Sequence, residues 1–426
     1  MPLWKLSMDI INSHNQNNNM NIIFLTMSRM TNISYHGIYG DLMRKFRDKG
    51  HVLYIVSPRE RSFNQKTRLE EVDGVHILGV KTLNLQKTSV IEKGVGQILV
   101  EYQFKKAIQK YLSNIAFDLI LYTTPPITFP KVIKYLRKNN PKAQTYLLLK
   151  DIFPQNAVDL GMLRKTGLKG ALYKLFRKKE KKLYAVSDYI GCMSPANVEF
   201  VLKHNPEISA YRVEVAPNSM ELVNNPIEDG QVKAERYYIR NKYNLPTDKP
   251  IFIYGGNLGK PQGIPYLIDC LSANSNRTDC HFVVIGTGTE LQKLKDWHYA
   301  NKPHSVTVMD GLPKEEYELL VRTCDVGMIF LDHRFTIPNY PSRILSYLSN
   351  KMPVLCATDP NTDIGRIAEE NEYGYWCESN SVDAFTFILD KMIRSDREEM
   401  GEKGFQFFKE NYLVDNTYNA IMKHLS

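Results

Sequence analysis

The sequence predicts an α/β protein made of two doubly wound domains that face each other across a cleft. Three observations carry this. Short apolar runs alternate with helix-length stretches from Met20 onward, which is the pattern of right-handed βαβ units and a parallel sheet. The alternation starts afresh at Lys249, beyond a hinge near Pro217–Pro226. The length of 426 residues suits two or three domains at roughly 100–200 residues each. A composition of 43% hydrophobic and 24% charged residues is that of a globular chain and excludes disorder, collagen-like repeats and a coiled coil.

In the first series, NIIFLTM (21–27) reads as a buried strand from its continuous apolar content. The polar loop 28–36 ends at His36-Gly37 and leads into a helix that stops at Gly50. HVLYIVS (51–57), VHILGV (75–80), FDLILYTT (117–124), TYLLLKDIF (145–153), DYIGCMS (188–194) and VEVAPNS (213–219) are the next strands. Helices are expected over 89–114, 126–139 and 167–187. The second series has strands at 249–257, 281–288, 305–311, 325–332, 353–358 and 374–379. Its helices fall at 263–271, 289–299, 313–323 and 341–350, and only helices follow Val382. Two such domains bind ligands at the carboxyl ends of their strands, so the loops that follow strands are where function is sought.

Residues 1–19 are polar, end in an Asn-rich run and read as a disordered leader, without the apolar stretch of a signal peptide. No apolar run approaches the roughly 20 residues of a membrane span. The six cysteines are scattered, with no CxxC pair and no clustering with histidine. Zinc is thereby disfavoured, and reduced core thiols in a cytoplasmic protein are expected.

Charge is uneven. Residues 1–220 hold 33 Lys+Arg and 17 Asp+Glu, a net +16, and the remainder hold 22 and 29, a net −7. Such an excess marks a polyanionic partner, nucleic acid or an anionic membrane surface, or else a plain solvated face. It is concentrated in RKTGLKGALYKLFRKKEKK (164–182). On a helix, Leu168, Ala171, Leu172, Leu175 and Phe176 form one face. Lys169, Lys174, Arg177, Lys178, Lys181 and Lys182 fall largely on the others. We expect the apolar stripe to dock on the sheet and the cations to meet anionic headgroups. No RNA-recognition, helix-turn-helix or zinc signature accompanies the charge, so a nucleic-acid partner is not expected.

The loop Tyr254-Gly255-Gly256-Asn257-Leu258-Gly259-Lys260-Pro261-Gln262-Gly263 follows the first strand of the second series. Its glycines allow close backbone approach, and Lys260 adds positive charge, which suits a diphosphate or a simple tight turn. It is not a Walker A loop. Gly286–Glu290, with Gly286, Gly288 and Glu290, and the segment with Gly311 and Leu312 follow the next two strands. Then comes Thr336-Ile337-Pro338-Asn339-Tyr340-Pro341-Ser342-Arg343, where Ser342 or Arg343 could hold phosphate. Four such loops in one domain point to a shared nucleotide site. In the first half, Lys150 and Asp151 emerge from a Leu-rich strand, as an ion pair or as cleft residues. No strict DxD motif occurs. A leaving diphosphate would then be met by Lys, Arg and backbone amides, and no metal is expected.

The segments YGGNLGKPQGIPYLI, IGTGTELQKL, DGLPKEEYELL and IPNYPSRILSYLSNKMPVLCATDPNTDIG resemble the C-terminal domain of GT-B glycosyltransferases of the family 4 type. LLLKDIFPQNAVDLGML and VAPNSME resemble the branch that builds bacterial capsule and O-antigen chains, including N-acetylfucosaminyltransferase-like members. The resemblance implies two Rossmann-like domains and a retaining, metal-independent transfer from a nucleotide sugar, most often UDP-linked. The acceptor it implies is a lipid-linked saccharide, with the enzyme peripheral on the inner face of the plasma membrane. It implies an acceptor-binding domain over 20–217, a nucleotide-sugar-binding domain over 218–400 and a C-terminal helix over 401–426 that packs back toward the first domain. By position, Gly256–Gln262, with Gly256, Asn257, Gly259 and Lys260, and Arg343 would face the donor diphosphate. Gly286, Gly288, Glu290, Gly311 and Leu312 would line the nucleotide pocket beside Asn339, Ser342 and Ser346. His36, Gly37, Lys150 and Asp151 would lie near sugar and acceptor, and we expect Asp151 to orient the acceptor hydroxyl or take its proton.

The chain departs from that family at informative places. Asn257 stands where the family commonly has Arg, and the two acids of its Glu-x7-Glu motif are Pro338 and Ser346 here. A sugar-nucleotide epimerase of the same architecture and a non-catalytic sugar-nucleotide-binding scaffold are the alternative readings.

Overall fold

The computed structural model describes residues 19–84, 90–222 and 229–425. Residues 1–18 of the expected leader lie outside these. In chain order the first domain runs β1 (Asn21–Leu25), α1 (Ile38–Asp48), β2 (Val52–Glu60), β3 (Arg68–Val72), β4 (Val75–Thr82), α2 (Val90–Tyr111), β5 (Leu119–Thr123) and α3 (Pro130–Asn139). It continues with β6 (Gln144–Leu149), α4 (Gln155–Asp159), α5 (Gly167–Val186), β7 (Tyr189–Cys192), α6 (Pro195–His204) and β8 (Val213–Val215). The second has α7 (Asp229–Lys242), β9 (Ile251–Asn257), α8 (Ile264–Ala273), β10 (His281–Thr287), α9 (Leu291–Asn301), β11 (Val306–Asp310), α10 (Lys314–Arg322) and β12 (Val326–Phe330). After these come α11 (Arg343–Ser349), β13 (Val354–Thr358), α12 (Ile364–Glu370), β14 (Gly374–Glu378), α13 (Val382–Arg394), α14 (Arg397–Asn411) and α15 (Val414–Met422).

The strands form two sheets, ordered β3-β4-β2-β1-β5-β6-β7-β8 and β11-β10-β9-β12-β13-β14. Pairing is parallel throughout, except for the antiparallel pair of β3 and β4. The central strands are apolar over most of their length because both faces are covered. In β1, Ile23 and Leu25 enter one core while Ile22 and Phe24 enter the other. In β9, Ile251 and Ile253 are divided from Phe252 and Tyr254 in the same way.

The sequence does not predict β3, whose RLEEV is charged because it is an edge strand with little to bury. Its hairpin turn is Asp73-Gly74, with φ +52° and +74°, an Asp-Gly signal for such a turn. Helices α4, α6, α7 and α12 are further additions to the predicted elements. The chain after residue 400 is not one helix. It is the end of α14, packed on α11, followed by α15, packed on α1 of the first domain. Thr417 Oγ1 donates to Pro217 O (2.8 Å), and His51 Nε2 lies 3.1 Å from the Tyr418 hydroxyl.

The stripe on α5 expected to dock on the sheet does not dock. Leu168, Leu172 and Leu175 are 94%, 41% and 50% exposed. The helix instead buries Gly170, Glu180, Leu183, Tyr184 and Val186, with Phe176 set edge-on against Phe153 at 5.0 Å. That docked face lies roughly a third of a turn around the helix from the leucines. All six cysteines are free and buried. Among the described residues no helix is long and apolar enough to cross a membrane.

Candidate active site

The carboxyl ends of the central strands of both sheets face a cavity of about 1900 Å³. Its lining joins His36, Gly37 and Lys150 of the first domain to Gly256, Asn257, Asn339, Ser342, Arg343 and Ser346 of the second. Asp151, Gly259, Lys260, Gly286, Gly288, Glu290, Gly311 and Leu312 do not line it.

Arg343, the first residue of α11, is the centre of the donor side. Its guanidinium carbon lies 4.2 Å above the Tyr254 ring. Its Nη1 is shut off from solvent and has no hydrogen-bond partner among the described residues. Gly256 beside it has φ +117°, a conformation that favours glycine, and a Cβ there would make only an ordinary 3.8 Å contact with the guanidinium. A shielded arginine nitrogen without a carboxylate is an electrostatic debt that an anion from the cavity can settle.

Lys260 is carried outward and exposed by a 3-10 turn over Lys260–Gln262. The turn is held by Gln262 Oε1, which accepts from Asn257 Nδ2 and the Gly259 amide, both at 3.1 Å. Gly286 and Gly288 serve packing of the chain. A Cβ at Gly286 would sit 1.8 Å from Gly256 O, and one at Gly288 would sit 2.2 Å from Leu258 O. Glu290 is buried and paired with Lys293. Leu312 packs on the core beneath α10. A Cβ at Gly311 would come 2.8 Å from the Thr287 methyl group.

Lys150 and Asp151 do not pair, because β6 ends at Leu149 and the two side chains leave in different directions. Lys150 Nζ donates to Ala216 O (3.2 Å) and Pro217 O (3.4 Å), and burial pushes its pKa down to about 7. Asp151 turns to α4, where it accepts from Asn156 Nδ2 at 2.8 Å, and burial raises it to about 6. Of the two, only Lys150 reaches the cavity.

His36 has Nδ1 3.8 Å from Asp41, which with Glu221 completes a group of metal-ligand type. An arginine already occupies its centre. Arg44 Nη2 lies 2.6 Å from Asp41 Oδ1 and 2.7 Å from Glu221 Oε2. The group is therefore an ion-pair network between the domains.

Several lining residues escape sequence reasoning. Glu318 reaches the cavity from α10, and Ser346 Oγ donates to its Oε2 at 2.9 Å. A carboxylate thus stands beside the position where the expected acid is missing. Lys314, one helical turn earlier, lies within 4 Å of where a Gly37 Cβ would be, across the cleft. Their i, i+4 spacing after a strand-end loop is the signal that could have found them. Asn218, after β8, also lines the cavity, with a buried Oδ1 that has no hydrogen-bond partner among the described residues.

A cleft between two Rossmann-like sheets with an unneutralised arginine at its centre defines a protein of the GT-B class. Residues 236–407 match the family of glycosyl transferases group 1. The chain is 22% identical over 335 residues to a protein described as probable glycosyltransferase WbjE of Pseudomonas aeruginosa, covering 76% of this chain and 78% of that one. The fold matches sucrose-phosphate synthase from Thermosynechococcus elongatus with a TM-score of 0.72 at 14% identity, over 95% of this chain and 98% of that one. It matches Anabaena Alr3699/HepE, solved in complex with UDP and glucose, with a TM-score of 0.68 at 13% identity, over 96% and 99% of the two chains.

Proposed function

We propose that this protein transfers a sugar, with retention, from a UDP-linked donor to a lipid-linked saccharide in capsular or O-antigen polysaccharide assembly. It works at the inner face of the plasma membrane and needs no metal. The observation that carries the donor assignment is Arg343, which lines the cavity and whose buried Nη1 has no hydrogen-bond partner among the described residues. The UDP and glucose in the Anabaena complex support a nucleotide sugar as its partner.

In this reading Arg343 holds the diphosphate and meets the charge that builds on it as the glycosidic bond breaks. Glu318, one turn of α11 away beside Ser346, accepts hydrogen bonds from the ribose hydroxyls. Lys150 and His36 stand on the opposite wall, beside the transferred sugar and the acceptor. Asp151, directed to Asn156, supports the local turn, so the acceptor's proton is not assigned to it. Closure of the domains keeps water from the reacting carbon.

The test is nucleotide release from UDP-, GDP- and dTDP-sugars, with and without a polyprenyl-diphosphate-linked saccharide. Release from the UDP-sugar that depends on the acceptor is expected. Equal release without acceptor would replace transfer by hydrolysis or epimerase-like chemistry, and no release or binding of any nucleotide would end the reading.

A further inference from the structure

Helix α5 has an outward face that the catalytic cleft does not use. Leu168, Leu172 and Leu175 project from its first half, and Met162 just before it is 49% exposed. The second half borders a groove of about 570 Å³ lined by Lys174, Arg177, Lys178, Lys181, Lys182 and Arg212. Residues 164–182 hold nine Lys+Arg and one Glu, a net +8.

These cations differ in availability. Arg177 is turned inward, where it donates to Glu180 Oε2 (2.7 Å), His204 O (2.8 Å) and Asn205 Oδ1 (2.6 Å). It leaves the membrane-facing set to which the sequence assigns it. Arg212 donates to the carbonyls of Asp188 and Tyr184. Lys181 has a single exposed partner, Glu207, at 3.0 Å. Lys169, Lys174, Lys178 and Lys182 are exposed and make no hydrogen bond or ion pair among the described residues. Exposed leucines beside unpaired lysines would be a costly face to leave in water, and among the described residues nothing covers them.

The helix is also well placed. It is the crossover between the parallel strands β6 and β7, so its leucine-bearing start lies on the cleft side of the first sheet and its lysine-rich end on the far side. Just before it, Asp159 Oδ1 and Oδ2 accept from the Thr336 hydroxyl of the second domain at 2.9 and 3.0 Å. The leucines therefore stand at the rim where the domains meet.

We infer that the outward face of α5 inserts into an anionic bilayer. Leu168, Leu172 and Leu175 enter the headgroup–acyl boundary, and Lys174, Lys178, Lys181 and Lys182 gather lipid phosphates along the groove. Charge complementarity selects an anionic bilayer over a second copy of the chain, since two faces of net +8 would repel. The inference deepens the lipid-linked acceptor reading by naming the surface that brings the cleft to its substrate.

The experiment is flotation of the full chain with vesicles of phosphatidylcholine alone, or with about 30 mol% phosphatidylglycerol, at low and high salt. Binding to the anionic vesicles only, lost at high salt, is expected. Replacing Lys174, Lys178 and Lys182 together with Glu should weaken it by roughly 100-fold or more. The pair Leu168→Ser and Leu172→Ser should weaken it roughly tenfold or more at low salt, with the charge intact. Equal binding to both vesicles, or wild-type binding by either variant, would overturn the proposal. So would a dimer in sedimentation that the leucine variant abolishes, which would give the face to a second copy. No donor or acceptor is present, and Arg343→Ala should float like wild type, so failure here is distinct from failure of the transferase reading.

Discussion

Replacing Arg343 with alanine tests the donor site most directly. The wild-type guanidinium has a shielded Nη1 without a partner and a π-face contact with Tyr254 at 4.2 Å. Removing it takes away the contact with Tyr254, worth about 0.5–2 kcal/mol, and also relieves an unsatisfied buried donor. The melting temperature should therefore move by only a few degrees. The effect on the reaction is of another size. A preorganised donor aimed at developing negative charge contributes roughly 2.7–4 kcal/mol, so turnover should fall about 10²–10³-fold. UDP affinity should fall less, by roughly tenfold to a hundredfold, as for a hydrogen bond to a charged group. Arg343→Lys should lie between, because an ammonium keeps the charge without the planar fork. Nucleotide release under saturating donor, with UDP binding by calorimetry, separates the two quantities. Turnover within about threefold of wild type, with UDP bound normally, would refute the assignment.

Lys150 makes affinity depend on pH. Burial lowers its pKa to about 7, and an anion in the cavity favours its charged form, so UDP affinity should fall as pH rises through about 7. The drop is at most about tenfold per pH unit, and Lys150→Arg should bind with a flat profile; a wild-type profile already flat from pH 6 to 9 would exclude contact. Glu318→Gln should raise the UDP dissociation constant roughly ten- to a hundredfold, and Ser346→Ala by less. An unchanged constant for Glu318→Gln would remove Glu318 from the nucleotide site. Gly286→Ala forces a methyl group to within 1.8 Å of Gly256 O and should cost about 1–3 kcal/mol of stability or more. A normal melting temperature with UDP binding lost would instead return Gly286 to the ligand.

The parts of this protein that could be read in its sequence are those where one physical cause dominates. β1 and β9 are buried on both faces, so their apolar runs have no rival explanation. β3 is charged because an edge demands little, and only its Asp-Gly turn betrays it. Glycines after strands are ambiguous by nature. Gly256 supplies a positive φ beside Arg343, whereas Gly286 and Gly288 make room for backbone, and no local pattern tells the two apart. Lys150 and Asp151 are neighbours in sequence and diverge in space because the strand stops one residue earlier. Glu318 was hidden by its place on a helix, where a carboxylate reads as ordinary solvation until its contact with Ser346 is seen. On α5 the composition was legible, while the choice of docked face depended on packing against α3 and Phe153.

The first-domain wall of the cavity is anchored at the hinge. The Gly37 amide donates to Asp41 Oδ1, and Asp41 Oδ2 accepts from the Glu221 amide, both at 2.8 Å. Arg44 joins the two carboxylates and also donates to Tyr35 O at 2.9 Å. Lys150 is held by the carbonyls of Ala216 and Pro217. Both first-domain groups assigned to the sugar and acceptor are thus tied to residues 216–221, the segment that follows β8 between the domains. A hinge motion that displaces this segment cannot leave His36 and Lys150 in place. Opening of the cleft and disassembly of its acceptor wall are therefore one event. In the proposed function the arginine of the donor wall, seated on Tyr254 within the second domain, would stay outside this coupling, so its hold on the donor diphosphate would outlast the loss of His36 and Lys150.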